Sequence, residues 1–264
     1  GYSYDSSGNV TGLVGPGGGT VSLRSGQHQC ILVGDSLTAQ DIPSPSGSYI
    51  QRLGNALFQH INYRLGGRLS VAAISGVSGT RSDQILTALQ TTLAANTGIG
   101  YAFISCGAND VDQYLSYPVT EAQYKTNMRS IIASCLSYGV RPILYGIPGS
   151  ATYITTAGKA DMWIRCNAAL KDLAREYPDV VLLQLDTVMS DVAAAYPANL
   201  ASLCDGSFHP NSLACKLFAD YAYTTLNAII PPVDLFHSHN HVGGANELLL
   251  TANPLMTGTS ALTG

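Results

Sequence analysis

Four short blocks of the chain hold residue types that acyl transfer requires, in the order nucleophile, backbone donors, amide donor, base. The first is Gly34-Asp35-Ser36-Leu37-Thr38. A serine at a strand-to-helix turn lies beside backbone N–H groups that have no partner, the setting a nucleophile needs for its oxyanion. The second, Ser75-Gly76-Val77-Ser78-Gly79-Thr80, is a flexible turn able to offer further N–H groups. The third, Gly107-Ala108-Asn109-Asp110, presents a side-chain amide, and the fourth, Cys204-Asp205-Gly206-Ser207-Phe208-His209-Pro210-Asn211, carries an acid and a histidine. Each block alone has a structural reading, since Asp-Ser commonly caps a helix and Asn-Asp commonly makes a turn. Their joint order is what points to chemistry.

These residues need elements that bring them to one place. From residue 27 onward, short apolar runs alternate with amphipathic segments. The runs at 28–34, 69–75, 100–106, 140–147 and 179–185 are apolar on both faces, as parallel strands covered on both sides are. Helical spacing recurs near 47–60, 82–95, 120–138, 160–176 and 211–229; Ser82 is the expected N-cap of the second. Five such alternations predict an α/β fold, a three-layer α/β/α sandwich around a doubly wound, five-stranded parallel sheet. In that architecture ligands bind beyond the carboxyl ends of the strands, and all four blocks fall there or just after the last strand.

The blocks resemble those of the GDSL esterases, the SGNH hydrolase superfamily, over about residues 27–230. The resemblance implies a flavodoxin-like sheet and a serine esterase that needs no cofactor. It makes Ser36 the nucleophile and His209 its general base, with the N–H groups of Ser36 and Gly79 and the Asn109 amide forming the oxyanion hole. Two positions depart from the family pattern. Ile74 stands where an asparagine is usual, and the acid is expected three residues before the histidine, where this chain has Gly206. Asp205, one residue earlier, is the leading partner for His209. Asp186 at the end of the fifth strand and a backbone carbonyl are the alternatives.

Composition bounds the rest. Of 264 residues only 11% are charged, against about 25% in an average protein. With 46% hydrophobic residues the chain is not of the disordered class. A net charge of −4 leaves no basic footprint for nucleic acid. No apolar run approaches the roughly 18 residues of a membrane span. The surface is solvated by hydroxyl and amide side chains and by many of the 15 tyrosines. That composition suits an acylated carbohydrate or small ester as partner, and an extracellular or virion-associated setting. Tyr114, Tyr153 and Trp163 fall in or beside loops after the third and fourth strands, where a substrate could stack or where they could simply pack.

The two ends read differently. Residues 1–26, with GPGGG at 15–19, carry no period and are expected to form an arm or linker. Residues 231–264 form a C-terminal extension through which the chain could oligomerise. In an extended strand its His237, His239 and His241 point to one side. The run resembles the H-x-H repeats of trimeric phage fibres, where three chains enclose a metal; solvated tail histidines are the plainer reading, and no metal is assigned. The six cysteines form no C-x-x-C pair. Cys30 and Cys106 read as buried thiols, whereas Cys204 and Cys215 bracket the histidine loop and could be joined.

Overall fold

The computed structural model describes residues 2–4, 10–14, 20–21, 28–41, 56–117, 119–191, 193–205 and 208–232. The chain divides into two units, Gly1–Ile230 and Pro231–Gly264. All the elements below belong to the first; residues 233–264 of the C-terminal extension, with His237, His239 and His241, lie outside the described residues.

The Gly-rich start is not a plain linker. Strands β1 (Tyr2–Tyr4), β2 (Val10–Val14) and β3 (Thr20–Val21) pair antiparallel as a small meander. Strands of two to five residues are too short to show a two-residue period, so the pattern of the sequence could not reveal them.

The main sheet contains β4 (Gln29–Gly34), β5 (Ser70–Gly76), β6 (Ile99–Ser105), β7 (Arg141–Tyr145) and β8 (Val181–Leu183). Its order is β5-β4-β6-β7-β8, and every pairing is parallel. Counted within the sheet, that is the 2-1-3-4-5 order of flavodoxin-like folds. The chain leaves β4 toward β5, then crosses back to β6. The crevice beyond the carboxyl ends of β4 and β6 is therefore the switch point at which such sheets bind ligands.

Alternation along the strands builds two cores. Ile31 and Val33 of β4, Ala102 and Ile104 of β6 and Leu144 of β7 face one layer, α3 (Ser82–Ala95), α5 (Glu121–Ser137) and α6 (Ala157–Glu176). Cys30, Leu32, Tyr101, Phe103, Ile143 and Tyr145 face the other, α2 (Leu57–Arg64) and α8 (Ser212–Ile229). Both faces are covered, which explains why these strands read as continuous apolar runs. Shorter helices, α1 (Ser36–Ala39), α4 (Ala108–Asp112) and α7 (Leu185–Met189), follow β4, β6 and β8 directly.

One helix differs from expectation. The periodicity predicts a helix near 47–60, whereas α2 spans Leu57–Arg64 and residues 42–55 lie outside the described residues. Its start is held by the buried Asp41, whose carboxylate accepts the N–H groups of Phe58 and Gln59 at 3.3 Å each. That cap comes from 17 and 18 residues upstream of the N–H groups it accepts, beyond the reach of local pattern reading. Burial pushes the Asp41 carboxyl up to about 7, against the pull of those two N–H groups. All six cysteines are free thiols, so Cys204 and Cys215 are not joined; Cys215 is fully buried in the α8 core.

Candidate active site

Gly34 ends β4, and Asp35 turns the chain into α1. A Cβ on Gly34 would fall onto Ser105 at the end of β6 and 2.6 Å from Thr38 Oγ1, so only glycine lets the two strand ends meet. Asp35 is the N-cap of α1: its carboxylate accepts the Leu37 N–H at 3.0 Å and the Ser105 hydroxyl at 2.9 Å. Thr38 Oγ1 lies 2.8 Å from the same Ser105 oxygen. Ser36 is thus set on a turn clamped from below by a neighbouring strand. Burial lifts the Asp35 carboxyl to about 6, with the Leu37 and Ser105 hydrogen bonds opposing the rise.

Ser36 Oγ lies 2.8 Å from His209 Nε2. The histidine is carried by a tight loop in which Cys204 and Pro210 form a β-bridge and the Asp205 N–H donates to the His209 carbonyl at 2.6 Å. Phe208 packs edge-on against the imidazole, with ring centroids 5.2 Å apart. Asn211 then caps α8, accepting the Ala214 N–H at 3.1 Å. Asp205 therefore shares one short main-chain loop with His209. Asp186 sits at the start of α7, nearly buried, with Lys171 Nζ 4.0 Å away and its Oδ1 against Gly146. Burial raises its carboxyl, and the Lys171 charge opposes the rise. It is not among the residues lining the cleft described next.

A cleft of about 250 Å³ opens over Ser36, lined by Ser78, Gly79, Ala108, Asn109, Asp112, Tyr153, Phe208 and His209. Its far wall is the turn Val77–Thr80, closed by the Thr80 N–H on the Val77 carbonyl at 3.3 Å. Gly79 takes φ +83°, a conformation that side chains resist. Asn109 Nδ2 donates to the Thr80 carbonyl at 3.0 Å, and Gln113 Nε2 to the Gly79 carbonyl at 2.9 Å. Arg81 in turn donates to Gln113 Oε1 at 3.0 Å while its guanidinium stacks 4.6 Å over Tyr117. Beneath, the buried Asp110 accepts the Ser82 hydroxyl at 2.6 Å and its N–H at 3.0 Å, joining α4 to the start of α3. Burial raises this carboxyl too, against the Ser82 hydrogen bonds.

Ser36, Gly79, Asn109, Tyr153 and His209 thus meet at one cleft. Trp163 lies one layer back, lining an adjoining apolar chamber, its indole N–H donating to the Ile147 carbonyl at 2.8 Å. Tyr114 lies off the cleft, packed on the core beneath α3, α5 and α6. Sequence reading overlooked Ser105, Phe208, Arg81 and Gln113. Gln113 had a usable signal, because it follows Asn109 by one helical turn. A larger hollow of about 510 Å³, lined by Tyr63, Arg64, Lys216 and Asp220, carries none of these residues; size does not mark the chemistry. Among the described residues no three His, Cys, Asp or Glu side chains cluster as metal ligands, and no helix is long and apolar enough to cross a membrane.

Known proteins place the fold and the family. Comparison of the sequence with curated proteins found no match. Solved structures resemble the fold. One is a carbohydrate acetylesterase from Sinorhizobium meliloti, 15% identical, covering 76% of this chain and 99% of its own, with TM-score 0.57. Another is a variant of an acetyl xylan esterase from Geobacillus stearothermophilus, 17% identical, covering 81% of this chain and 99% of its own, TM-score 0.59. A member of the lipolytic protein G-D-S-L family from Veillonella parvula is 16% identical over 74% of this chain and 96% of its own, TM-score 0.53. At such identities the likeness speaks for the fold alone. The sequence itself matches the GDSL-like Lipase/Acylhydrolase family over residues 32–217, from the middle of β4 into α8. With most of the chain inside that match, the protein belongs to the GDSL-like lipase/acylhydrolase family and is an ester hydrolase.

Proposed function

We propose that the chain is a serine esterase that removes small acyl groups, acetyl above all, from acylated carbohydrate. The observation that carries the reading is the 2.8 Å approach of His209 Nε2 to Ser36 Oγ, at the mouth of a cleft walled by Gly79 and Asn109. In this mechanism His209 takes the Ser36 proton as the hydroxyl attacks the ester carbonyl. The oxyanion is received by the N–H groups of Ser36 and Gly79 and by Asn109 Nδ2. That amide has two hydrogens, one of which is spent on Thr80. Collapse forms the acyl-enzyme, and His209 returns the proton to the leaving alcohol. Water, activated by the same imidazole, then releases the acid and restores Ser36. Asp205 orients His209 through the other ring nitrogen; its support is the shared loop, which Asp186 lacks.

The acetyl and carbohydrate parts rest on three points. The cleft is small, and its lining offers hydroxyl or amide groups from Ser36, Ser78, Asn109 and Tyr153, with Asp112 as its carboxylate. The chain is poor in charge. Two structures with the same fold are named as a carbohydrate acetylesterase and an acetyl xylan esterase. An extracellular or virion-associated setting is proposed on the composition and the Gly-rich arm and tail, and oligomerisation on the C-terminal extension. The test is hydrolysis of p-nitrophenyl acetate by the wild type and by Ser36→Ala. Wild-type turnover should fall by about 10⁴ or more in the variant while its melting transition is retained. Equal turnover of the two proteins would refute the reading.

A further inference from the structure

The geometry points to Tyr153 as the residue that limits acyl chain length, an inference that rests on the esterase reading above. Behind the catalytic cleft lies a second, apolar chamber walled by Val111, Ile147, Pro148, Ile154 and Trp163. Its free space is about 10 Å³, no more than one water requires. The cleft and the chamber share four walls: Ala108, Asp112, Tyr153 and Phe208. Tyr153 is the large side chain among them that can be removed without touching the catalytic residues. Ala108 has nothing to remove, Phe208 adjoins His209 and packs on its ring, and Asp112 is tied to Lys159 Nζ at 2.9 Å.

Tyr153 is also held in place. It stands on the loop after β7, where Ser150 Oγ accepts the N–H groups of Thr152 and Tyr153 at 3.2 and 3.1 Å. Gly149 anchors that loop by packing directly on the backbone of Ala198, too close for a side chain. The Tyr153 ring meets Phe208 edge-on at 5.6 Å, and Phe208 meets His209. The backbone of Tyr153 is thus fixed, and its ring, 36% exposed, forms a partition that lines both the cleft and the chamber. On one side is a polar cleft with the nucleophile; on the other is apolar surface with no room behind it. An acetyl methyl fits within such limits. A longer chain needs the partition gone, after which each methylene that reaches the apolar walls is worth about fourfold in binding.

The experiment compares kcat/KM for p-nitrophenyl acetate, butyrate and hexanoate in the wild type, Tyr153→Ala and Tyr153→Val. Wild-type kcat/KM should fall steeply with chain length. Both variants should raise the hexanoate-to-acetate ratio by about tenfold or more, Ala further than Val. A wild type that takes hexanoate as readily as acetate would overturn the inference without any variant being needed, and so would an unchanged ratio in folded variants. Failure of the wild type on all three esters would overturn the esterase reading and the gate with it.

Discussion

Gln113 offers a direct test of how the proposed oxyanion hole is held. It makes no contact with the proposed nucleophile; it donates to the Gly79 carbonyl at 2.9 Å and is itself fixed by Arg81. The turn it supports is exposed, and a Cβ built on Gly79 finds no atom within 4 Å, so little else holds that peptide from outside. Gln113→Ala deletes the neutral hydrogen bond to Gly79, worth about 1 kcal/mol or about fivefold in rate if the turn relaxes partway, and with it the Arg81 hydrogen bond that fixes the amide. Complete loss of an oxyanion donor costs about 10²–10³. The variant should therefore lose between about fivefold and a hundredfold in kcat, with KM little changed, because the donor acts on charge that develops only in the transition state. Gln113→Glu should lose more than Gln113→Ala, since it sets a carboxylate oxygen against the Gly79 carbonyl. Asn109→Ala should lie at the 10²–10³ limit. Steady-state hydrolysis of p-nitrophenyl acetate, read beside each variant's melting curve, separates these cases. A Gln113→Ala enzyme with kcat within twofold of wild type, or with the loss confined to KM, would refute the argument.

Asp41 should make the fold more stable in mild acid than at neutrality. Its folded value of about 7 lies above the ordinary carboxylate value, so its contribution is complete below about pH 4 and is lost as pH rises through 7. Urea unfolding of Asp41→Asn between pH 4 and 8 should show a shallower decline with rising pH than the wild type; parallel profiles would contradict this. The thiols give a further check. Because all six cysteines are free and Cys204 is the one not fully buried, native protein should expose Cys204 first to a thiol reagent and all six only in denaturant. Reductant should leave the melting temperature unchanged, and a reductant-sensitive transition would indicate a bridge.

Much of the architecture is a direct reading of local pattern. Runs such as Tyr101–Ser105 are apolar on both faces because helices cover both, and helices as regular as α3 keep one apolar stripe, so element type and order follow from the chain itself. The family was legible for a similar reason: each block is a few contiguous residues whose turn geometry is local. What needed the tertiary structure depends on residues far apart in sequence. Asp41 capping α2, Ser105 reaching under Asp35, Gln113 holding Gly79 and the three short strands of the first 21 residues leave no periodic trace. The same division runs through the site. Sequence alone determined that a serine and amide donors lie at strand ends, because strand ends are set by local hydrophobicity, and that a histidine precedes the last helix. Only the fold decided that Ser36 and His209, 173 residues apart, approach to 2.8 Å. Only the fold set Tyr153 rather than Tyr114 against that pair, since loop packing, not spacing, aims a side chain.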